Sequence, residues 1–294
     1  VYIEIKARFD ELNNMRWAAE LKKGGCKVIR PMGLYKVHSK LTQVVRKEKD
    51  SEFYLTHLGT GNYHPDTARQ YTDLSLLTAD QDLGKEVAAY FAWLAQGEKP
   101  QITFKDILVA PHDLDTQFMK LIREETLIQK SGGKGVILAK MNSLVDDRII
   151  EALYEASQAG VKIRLLVRGI CCLRPETNGL SENIEVRSVV DRFLEHSRIY
   201  YFRAGGKDKI FLSSADWMPR NFNSRYEIAF PIKNQDLKAY VRDVILAKSM
   251  ADNVKSWALT AEGSYVRLSP KPGEPRVRSQ KAFLDLAAAR GEKD

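Results

Sequence analysis

Two short stretches of the chain alternate hydrophobic or small residues with polar ones, which is the pattern of a half-buried β-strand. The first is "YKVHSKLTQVV", around His38. Side chains at every second position of a strand share one face, so we expect His38 and Lys40 to point the same way. The second stretch, "LEHSRIYYF", repeats the pattern with His196 and Arg198. The sequence therefore predicts two strands that each present an imidazole and a cation on one face.

Hydrophobic periodicity along the rest of the chain predicts alternating helices and strands. We expect Asp10 to cap the first helix, Gly24 and Gly25 to end it, and Ser143 to cap a later one. Such an alternation favours a mostly parallel sheet, whose carboxyl strand ends carry ligand sites. The predicted helices cover about 11–24, 80–96, 113–130, 143–160 and a short last segment near 282–290, and the predicted strands cover 1–9, 26–30, 34–45, 52–58 and 161–168.

An internal repeat relates the two halves of the chain. Three segments match in the same order: "VYIEIKAR" over "VKIRLLVR", "VHSK" over "EHSR", and "GTGNYHP" over "SSADWMP". The same register aligns Asp73 with Glu227. Three matches in one order indicate a duplicated α/β domain. Two such domains can pack about a pseudo-twofold axis and bring His38 and His196 to one cleft.

We expect the two domains to be residues 1–105 and 106–294, with their boundary in "QGEKPQITFKD". The chain has 294 residues and starts at Val1, inside a predicted strand, so we expect a fragment of a longer protein. Its formal net charge of +8 predicts anionic partners. Three cysteines in no paired pattern favour a reducing cytosol, and no apolar run reaches the ~20 residues of a membrane span.

A histidine, a cation two residues later and a Gly/Ser/Asn-type loop about 20 residues further on resemble the phospholipase D superfamily. Its members use one histidine as a nucleophile on phosphorus and a second as an acid and base. Neutral imidazole suits the first role, because its pKa is ~6.5. The aspartate of the superfamily motif would fall near Val45 or Arg203, and neither position carries one. A phosphodiesterase or nuclease is therefore the second choice, and a non-catalytic polyanion-binding module is the third.

The fuller resemblance, over roughly residues 1–270, is to the polyphosphate kinase family. The stretches that carry it include "GLYKVHSKL", "HLGTGNYHPDTARQYTDLSLLTAD", "NSLVDDRIIEALYEASQAGVKIRLLVRGICCLRP" and "SSADWMPRN". The resemblance implies the C-terminal catalytic half of an enzyme that transfers the γ-phosphate of ATP reversibly to inorganic polyphosphate, with Mg²⁺, through a phosphohistidine. It leaves open whether this half is active without the other domains.

The resemblance also assigns roles to residues. It implies that His38 is phosphorylated, that Tyr71 contacts ATP, and that His196 and Arg168 face the phosphates. It places Arg8 at the magnesium site; because a guanidinium has no lone pair to donate, we expect Arg8 to contact phosphate or to lie near the metal without binding it directly. Further expected phosphate contacts are Lys40, Arg198, Arg220 and Arg225.

Other expectations concern partners and the remaining titratable residues. We expect ATP, ADP and polyphosphate as ligands, no nucleic acid, and a bacterial cytoplasmic protein that forms homo-oligomers at full length and can associate peripherally with a membrane. Asp73 and Glu227 could orient the histidines or pair with arginines, and the second is favoured. We assign no role to the other histidines, and we expect the cysteines after the strand at 161–168 to be buried and inert. These residues are His57, His64, His112, Cys171 and Cys172.

Overall fold

The computed structural model of this chain describes most of its residues. The described ranges are 1–6, 10–29, 35–49, 51–96 and 102–291. Arg8 lies outside them, and so does much of the expected domain boundary.

Helices and strands alternate through both halves, as the hydrophobic pattern predicts. The helices are α1 Glu11–Lys23, α2 Pro65–Gln70, α3 Gln81–Ala95, α4 Leu114–Lys130, α5 Asp147–Gln158, α6 Pro219–Asn223, α7 Gln235–Ala239, α8 Ala247–Met250 and α9 Ser279–Gly291, with a 3₁₀ turn at Ala204–Gly206 and a π-helical segment at Tyr240–Leu246. The strands are β1 Lys36–Val37, β2 Lys40–Lys47, β3 Glu52–Gly59, β4 Tyr71–Thr72, β5 Ser75–Thr78, β6 Leu108–Ala110, β7 Val136–Met141, β8 Lys162–Val167, β9 Ile184–Val189, β10 Leu194–Glu195, β11 Arg198–Phe202, β12 Lys209–Ser213, β13 Arg225–Pro231, β14 Ser256–Leu259 and β15 Tyr265–Arg267.

A large sheet dominates the second half, in the order β1-β13-β12-β11-β7-β8-β9-β14-β15, with β6 beside β13. Within it, β7, β8 and β9 run parallel, while β11, β12 and β13 form antiparallel pairs. The α/β class is confirmed, but the expected mostly parallel sheet is wrong: among the described residues, the parallel neighbours in this sheet are β7 with β8, β8 with β9, and the short pair of β1 with β13. The segment 203–208 joins β11 to β12 as a short connection between antiparallel neighbours, whereas β7 and β8 are joined by the helical crossover α5, which parallel neighbours require.

The sheet is buried on both faces. Strand β11 shows this arrangement, because all five of its residues are buried. Tyr200 and Phe202 pack with α4 and α5, while Ile199 and Tyr201 face the layer that contains α3. A strand covered on both faces loses the polar alternation of a surface strand. The first half also contains the antiparallel sheet β2-β3-β5. Its residues and those of α3 share a hydrophobic core with one face of the large sheet, so the two halves are packed together.

The strand predicted at 34–45 is interrupted at its histidine. Strand β1 ends at Val37 and β2 begins at Lys40. Between them, the backbone N–H groups of His38 and Ser39 both donate to the carbonyl oxygen of Tyr226 at 3.0 Å. The continuous strand that was expected to align the two side chains on one face is therefore wrong.

Three smaller expectations also change. The strand expected at 1–9 is represented in the described residues by an isolated bridge between Tyr2 and Ile29. Helix α5 is capped by Asp146, whose carboxylate accepts from the N–H of Ile149, so the expected cap at Ser143 is wrong. Asp10 does precede α1, but its side chain makes no capping hydrogen bond.

Candidate active site

A parallel pairing of two residues joins the first half to the second beside His38. Lys36 and Val37 of β1 pair with Arg225 and Tyr226 of β13. The residues that follow these pairs are His38 and Glu227, and His38 Nδ1 lies 2.8 Å from the Oε2 atom of Glu227. The carboxylate of the second half therefore orients the imidazole of the first.

The reciprocal pairing occurs on the other side of the site. Residues of β10 pair in parallel with Tyr71 and Thr72 of β4. The following residues are again a histidine and an acid, and His196 Nδ1 lies 2.8 Å from the Oδ1 atom of Asp73. Each histidine thus takes its carboxylate from the opposite half. The expectation that these acids mainly pair with arginines is wrong, although Arg225 lies 3.8 Å from Glu227.

Both carboxylates are held by hydroxyl groups at matching positions of the repeat. Thr60 Oγ1 donates to Asp73 at 2.6 Å, and Ser214 Oγ donates to Glu227. Asn221 donates a further hydrogen bond to Glu227, whose side chain is fully buried. Sequence reasoning did not identify these three partners, although the alignment of "GTGN" with "SSAD" placed the two hydroxyls together.

The carboxylates fix the tautomer of both rings. Despite burial, hydrogen bonds and nearby cations hold the pKa of Asp73 and the pKa of Glu227 below their ordinary values. An ionised carboxylate can only accept hydrogen bonds, so each histidine carries its proton on Nδ1. The lone pair of the neutral ring then lies on Nε2. This arrangement is common to nucleophilic and acid–base histidines.

The two histidines share one electrostatic environment. Burial lowers the pKa of His38 to about 4, and Lys40 and Arg198 contribute to the lowering. Burial also lowers the pKa of His196, with the same two cations contributing. Cations that act on both rings place the rings in one site. Both imidazoles are therefore neutral at pH 7.

The two cations of the repeat differ in their partners. Lys40 donates to the backbone carbonyl of His38, and burial lowers its pKa to about 7. Arg198, only 4% exposed, forms a double contact with Asp216 at 3.1 and 3.2 Å. In the described part of the chain, no carboxylate lies within ion-pair distance of Lys40. The geometry therefore does not favour the expected phosphate contact at Arg198, whose charge is balanced by Asp216.

Three further expected residues lie around these groups. Arg168 donates through Nε to the side chain of Asn142, and it remains partly exposed. Arg225 is partly buried beside Glu227, while Arg220 on α6 is exposed. Burial lowers the pKa of Arg225, and the positive charge of Arg220 lowers it further. The two guanidinium groups are therefore neighbours.

Tyr71 packs against the second histidine. Its ring centroid lies 4.9 Å from that of His196, with the planes tilted by 42°. Tyr71 belongs to β4, the strand that ends beside Asp73. The ring is partly exposed and therefore borders the space next to the imidazole.

A buried polar layer beneath His196 escaped sequence reasoning. Lys140 lies 3.0 Å from Glu195 and donates to Ser197 Oγ at 2.8 Å. Asn142 donates to the carbonyl of His196 at 3.1 Å. Lys140 and Glu195 lie on β7 and β10, while Asn142 follows β7 and Ser197 precedes β11. Only the tertiary fold brings these residues under the site.

The histidines assigned no role have other neighbours. His57 Nδ1 lies 2.6 Å from the hydroxyl of Tyr63, and His64 caps α2 by accepting from Thr67. His112 lies beside Asp113 at 3.6 Å. That these three histidines have no catalytic role stays a prediction.

The two adjacent cysteines differ in exposure. Cys171 is partly buried, and burial raises the pKa of its thiol to about 11. Such a thiol is poorly ionised and therefore unreactive near neutral pH. Cys172 is exposed, so the expectation that both are buried is wrong.

The donor atoms of the site do not suit a metal ion held by protein alone. Magnesium prefers carboxylates, carbonyls and water. Across the described ranges, no group of three metal-ligating side chains is found. Asp73, Glu227 and Asp216 are instead engaged by histidines and by Arg198.

Among the residues that the structure describes, no helix is both long and apolar enough to cross a bilayer.

The duplicated α/β halves, with their crosswise histidine–carboxylate pairs, have a phospholipase-D-like fold. The fold of phosphatidylserine synthase from Haemophilus influenzae is similar over the whole chain, with a TM-score of 0.57 at 9% identity, and it covers 81% of that chain. The expected fold class, two duplicated phospholipase-D-like domains facing each other across a cleft, is confirmed. The family models for polyphosphate kinase C-terminal domains 1 and 2 match residues 1–100 and 107–280. The chain belongs to the polyphosphate kinase family.

Relatives and a solved structure agree with this assignment. The polyphosphate kinase of Halalkalibacterium halodurans is 49% identical over 289 residues, which are 98% of this chain and 41% of the relative. That of Bacillus anthracis is 50% identical over 287 residues, 98% of this chain and 40% of the relative. The crystal structure of polyphosphate kinase from Porphyromonas gingivalis superposes with a TM-score of 0.90 at 35% identity, covering all of this chain and 44% of that one. The chain thus spans about two fifths of the length of these curated relatives.

Proposed function

We propose that this chain carries the phosphoryl-transfer site of a polyphosphate kinase, which moves the γ-phosphate of ATP reversibly to inorganic polyphosphate through a phosphohistidine at His38. One observation carries the proposal. Two neutral histidines, each held by a carboxylate of the opposite half, share one site with buried cations. Membership of the polyphosphate kinase family supports the same choice over hydrolysis.

In this reaction the lone pair on His38 Nε2 attacks the γ-phosphorus. The N–P bond forms as the bond between that phosphorus and the bridging oxygen breaks, and ADP leaves with the electron pair. Glu227 stabilises the positive charge that develops on the ring, because its carboxylate stays ionised and accepts a hydrogen bond from Nδ1–H. The terminal oxygen of polyphosphate then attacks the phosphohistidine and restores the free ring. His196, oriented by Asp73, holds the phosphates or exchanges a proton with them.

Phosphoryl transfer depends on positioning and on positive charge around the equatorial oxygens. We assign that charge to Lys40, Arg168, Arg225 and Arg220, and we assign a contact with ATP to Tyr71. Arg8 keeps its proposed place as a phosphate contact near magnesium. The described side chains do not fit a resident magnesium ion, so we treat Mg²⁺ as part of the nucleotide substrate.

The wider assignments are proposals as well. We infer two domains, residues 1–105 and 106–294, and a bacterial cytoplasmic enzyme whose ligands are ATP, ADP and polyphosphate. We also propose homo-oligomerisation at full length and a peripheral attachment to the membrane. The net charge of +8 supports anionic ligands in general.

The test is incubation with γ-labelled ATP and Mg²⁺. Because the relatives are longer, the chain is assayed alone and fused to the remaining part of the Halalkalibacterium halodurans relative. We expect an alkali-stable, acid-labile label on His38, lost in His38→Ala and retained in the matched control His57→Ala. Label that persists in His38→Ala, or no label in either preparation, would overturn the proposal.

A further inference from the structure

The two crosswise histidine–carboxylate pairs are supported unequally by the backbone. Strand β1, which precedes His38, pairs with β13 and is thereby part of the large sheet. Strand β10, which precedes His196, pairs over two residues with β4, and within the described residues these two strands form a sheet of their own. Two strands outside a larger sheet are marginally stable by themselves. The alignment of His196 with Asp73 therefore depends on further contacts.

Helix α9 supplies such contacts through the side-chain amide of Gln280, which is 3% exposed. This amide pairs with the backbone of Phe193, the residue before β10: it accepts from the N–H group at 2.9 Å and donates to the carbonyl oxygen at 2.9 Å. Its Nε2 atom also donates to Oε1 of Glu195, within β10, at 2.6 Å. The three hydrogen bonds use both N–H groups and the carbonyl of the amide. Gln280 thus holds β10 at its start and at its end.

The beginning of α9 is itself fixed. Ser279 donates to the fully buried Asp252 through its backbone N–H at 2.7 Å and through its hydroxyl at 2.8 Å. Arg278 forms a double contact with Asp191 at 2.6 and 2.8 Å. Gln280 therefore projects from an anchored helix start, so its amide has little freedom to follow a displaced strand.

The other side of the same segment is held by the buried polar layer. Lys140 lies 3.0 Å from Glu195 and donates to Ser197 Oγ at 2.8 Å. His196 lies between these two partners of Lys140 along the chain. Because side chains on a strand alternate faces, a slip of one residue along β4 would turn the imidazole away from Asp73. The contacts on both sides of β10 therefore bear on the position of the ring.

We propose that Gln280 is a positioning residue that keeps β10 in register with β4 and so holds His196 against Asp73. The inference deepens the proposed function and rests on it for its meaning, because it concerns the second histidine of phosphoryl transfer. Strand β1 is held by the large sheet. Loss of Gln280 should therefore act on His196 and spare His38.

Ring ¹⁵N NMR of the chain at pH 7, without ATP, tests the inference. In the unaltered chain we expect a hydrogen-bonded Nδ1–H group on both histidines. Gln280→Met keeps the length of the side chain and removes its three hydrogen bonds. We expect the Nδ1 proton of His196 to exchange about tenfold faster, the factor of one ordinary hydrogen bond, and that of His38 to be unaffected. An unchanged His196, or an equal change at His38, would overturn the proposal.

Helix α3 offers a matched control. The amide of Gln81 pairs with the backbone N–H and carbonyl of Tyr54 at 3.0 and 3.1 Å, which is the same arrangement. Tyr54 lies towards the opposite end of β3 from Gly59, the residue that pairs with Lys40. Gln81→Met should lower the stability in urea by a similar amount and leave both imidazole signals as they are. If it changed His196 as much as Gln280→Met does, the effect would be a general loss of stability and the proposal would fall.

Turnover gives a second readout in the fusion to the remaining part of the Halalkalibacterium halodurans relative. We expect Gln280→Met to lower kcat by about 10- to 10²-fold, the scale of a misplaced catalytic group, and to leave KM for ATP unchanged. A raised KM with unchanged kcat would contradict the proposal. The NMR result requires no catalysis, so the inference can fail while the phosphoenzyme test succeeds, and the reverse.

Two further measurements apply if Gln280→Met does not fold. Gln280→Glu keeps the acceptor for the N–H of Phe193 and loses both donors, so it should change His196 in the same direction. In the unaltered chain, hydrogen exchange of the side-chain amide of Gln280 should be as slow as that of the backbone N–H of Phe193. Rapid exchange of the Gln280 amide would show that the contact is not held in solution and would overturn the proposal.

Discussion

His38 Nδ1 lies 2.8 Å from Glu227 Oε2, although 189 residues separate the two along the chain. His196 and Asp73 make the reciprocal contact over 123 residues. Neither half of the repeat therefore contains a complete histidine–carboxylate pair. The site exists only where the halves meet, and the short parallel pairings of β1 with β13 and of β4 with β10 set both contacts in register.

Glu227→Gln should impair formation of the phosphoenzyme. The amide can still hydrogen-bond His38, but it can also present its NH₂ group, which favours the wrong tautomer and leaves the ring charge unbalanced. A neutral amide in place of a histidine-orienting carboxylate costs about 10⁴ in the serine protease triad. We expect a loss on the order of 10² to 10⁴ in the labelling rate, measured by rapid quench. Glu48→Gln, on the surface beside Arg46, is the control and should label normally.

Gly61→Ala should disturb the other pair. A Cβ atom at this position would lie 2.2 Å from Asp73 Oδ2, and the carboxylate is already fixed by Thr60 and His196. We expect reduced turnover and a changed ring ¹⁵N spectrum for His196, with His38 unaffected. Gly24→Ala, where the nearest atoms are 3.5 Å away, is the control. Normal turnover in Gly61→Ala would mean that Asp73 can move without consequence.

Much of the fold follows from local signals. The periodicity of "LDTQFMKLIREETLIQK" predicts α4 because its apolar residues recur at helical spacing. The repeat of "VHSK" and "EHSR" predicts that two histidines meet, since duplicated domains pack symmetrically. Both signals are contained in the sequence itself.

The pairing of acids with histidines is not contained in a local signal. Aligning Asp73 with Glu227 shows that the two are equivalent, but it does not say that each crosses to the opposite half. That exchange depends on the register of β1 with β13 and of β4 with β10, two short pairings that form only in the tertiary structure. The double contact of Arg198 with Asp216 has no local signal for a related reason, since a cation near a predicted phosphate site is expected to bind phosphate until its buried carboxylate partner is known.

The chain should lose stability as the pH falls from about 6.5 to 4. Burial lowers the pKa of His38 to about 4, whereas the unfolded chain titrates near 6.5, so in this range the unfolded state binds more protons. The stability is complete above pH 6.5 and is lost as the pH falls towards the folded value. At about 1.4 kcal/mol per pKa unit, the loss is on the order of 2 to 3 kcal/mol.

Urea unfolding between pH 7 and 4 measures this loss. His38→Gln should flatten the dependence, while His112→Gln, outside the site, should retain it. Since the pKa of Glu227 lies below its ordinary value, its own contribution is lost only at lower pH. An equally steep dependence in His38→Gln would assign the acid sensitivity to other groups.

Anion binding should weaken above neutral pH because of Lys40. Burial lowers its pKa to about 7, so the free site loses this charge as the pH rises through that value. A bound anion favours the protonated form, and binding at pH 8 should therefore take up a proton. Calorimetry with short polyphosphate in buffers of different ionisation enthalpy measures the uptake. Lys40→Arg, which stays charged, should bind with little pH dependence; a dependence equal to that of the unaltered chain would remove Lys40 as the cause.

The chain alone should bind polyphosphate more tightly than ATP, and both affinities should fall with salt. A polyphosphate chain can meet several of the site's cations at once, including Arg168, Arg220 and Arg225, whereas ATP offers three phosphates and a base. Such contacts weaken as the Debye length shrinks from ~10 Å at 0.1 M to ~3 Å at 1 M salt, while stacking of an adenine would be screened far less. Titration with each ligand at low and high salt separates the charge contacts from adenine stacking. Arg225→Glu reverses one charge of the site and should weaken polyphosphate binding, and Arg46→Glu on the surface is its control. If ATP bound tightly and with little salt dependence, an adenine pocket would have to lie within these 294 residues. Tyr71, which packs against His196, would then be the first side chain to substitute in order to locate that pocket.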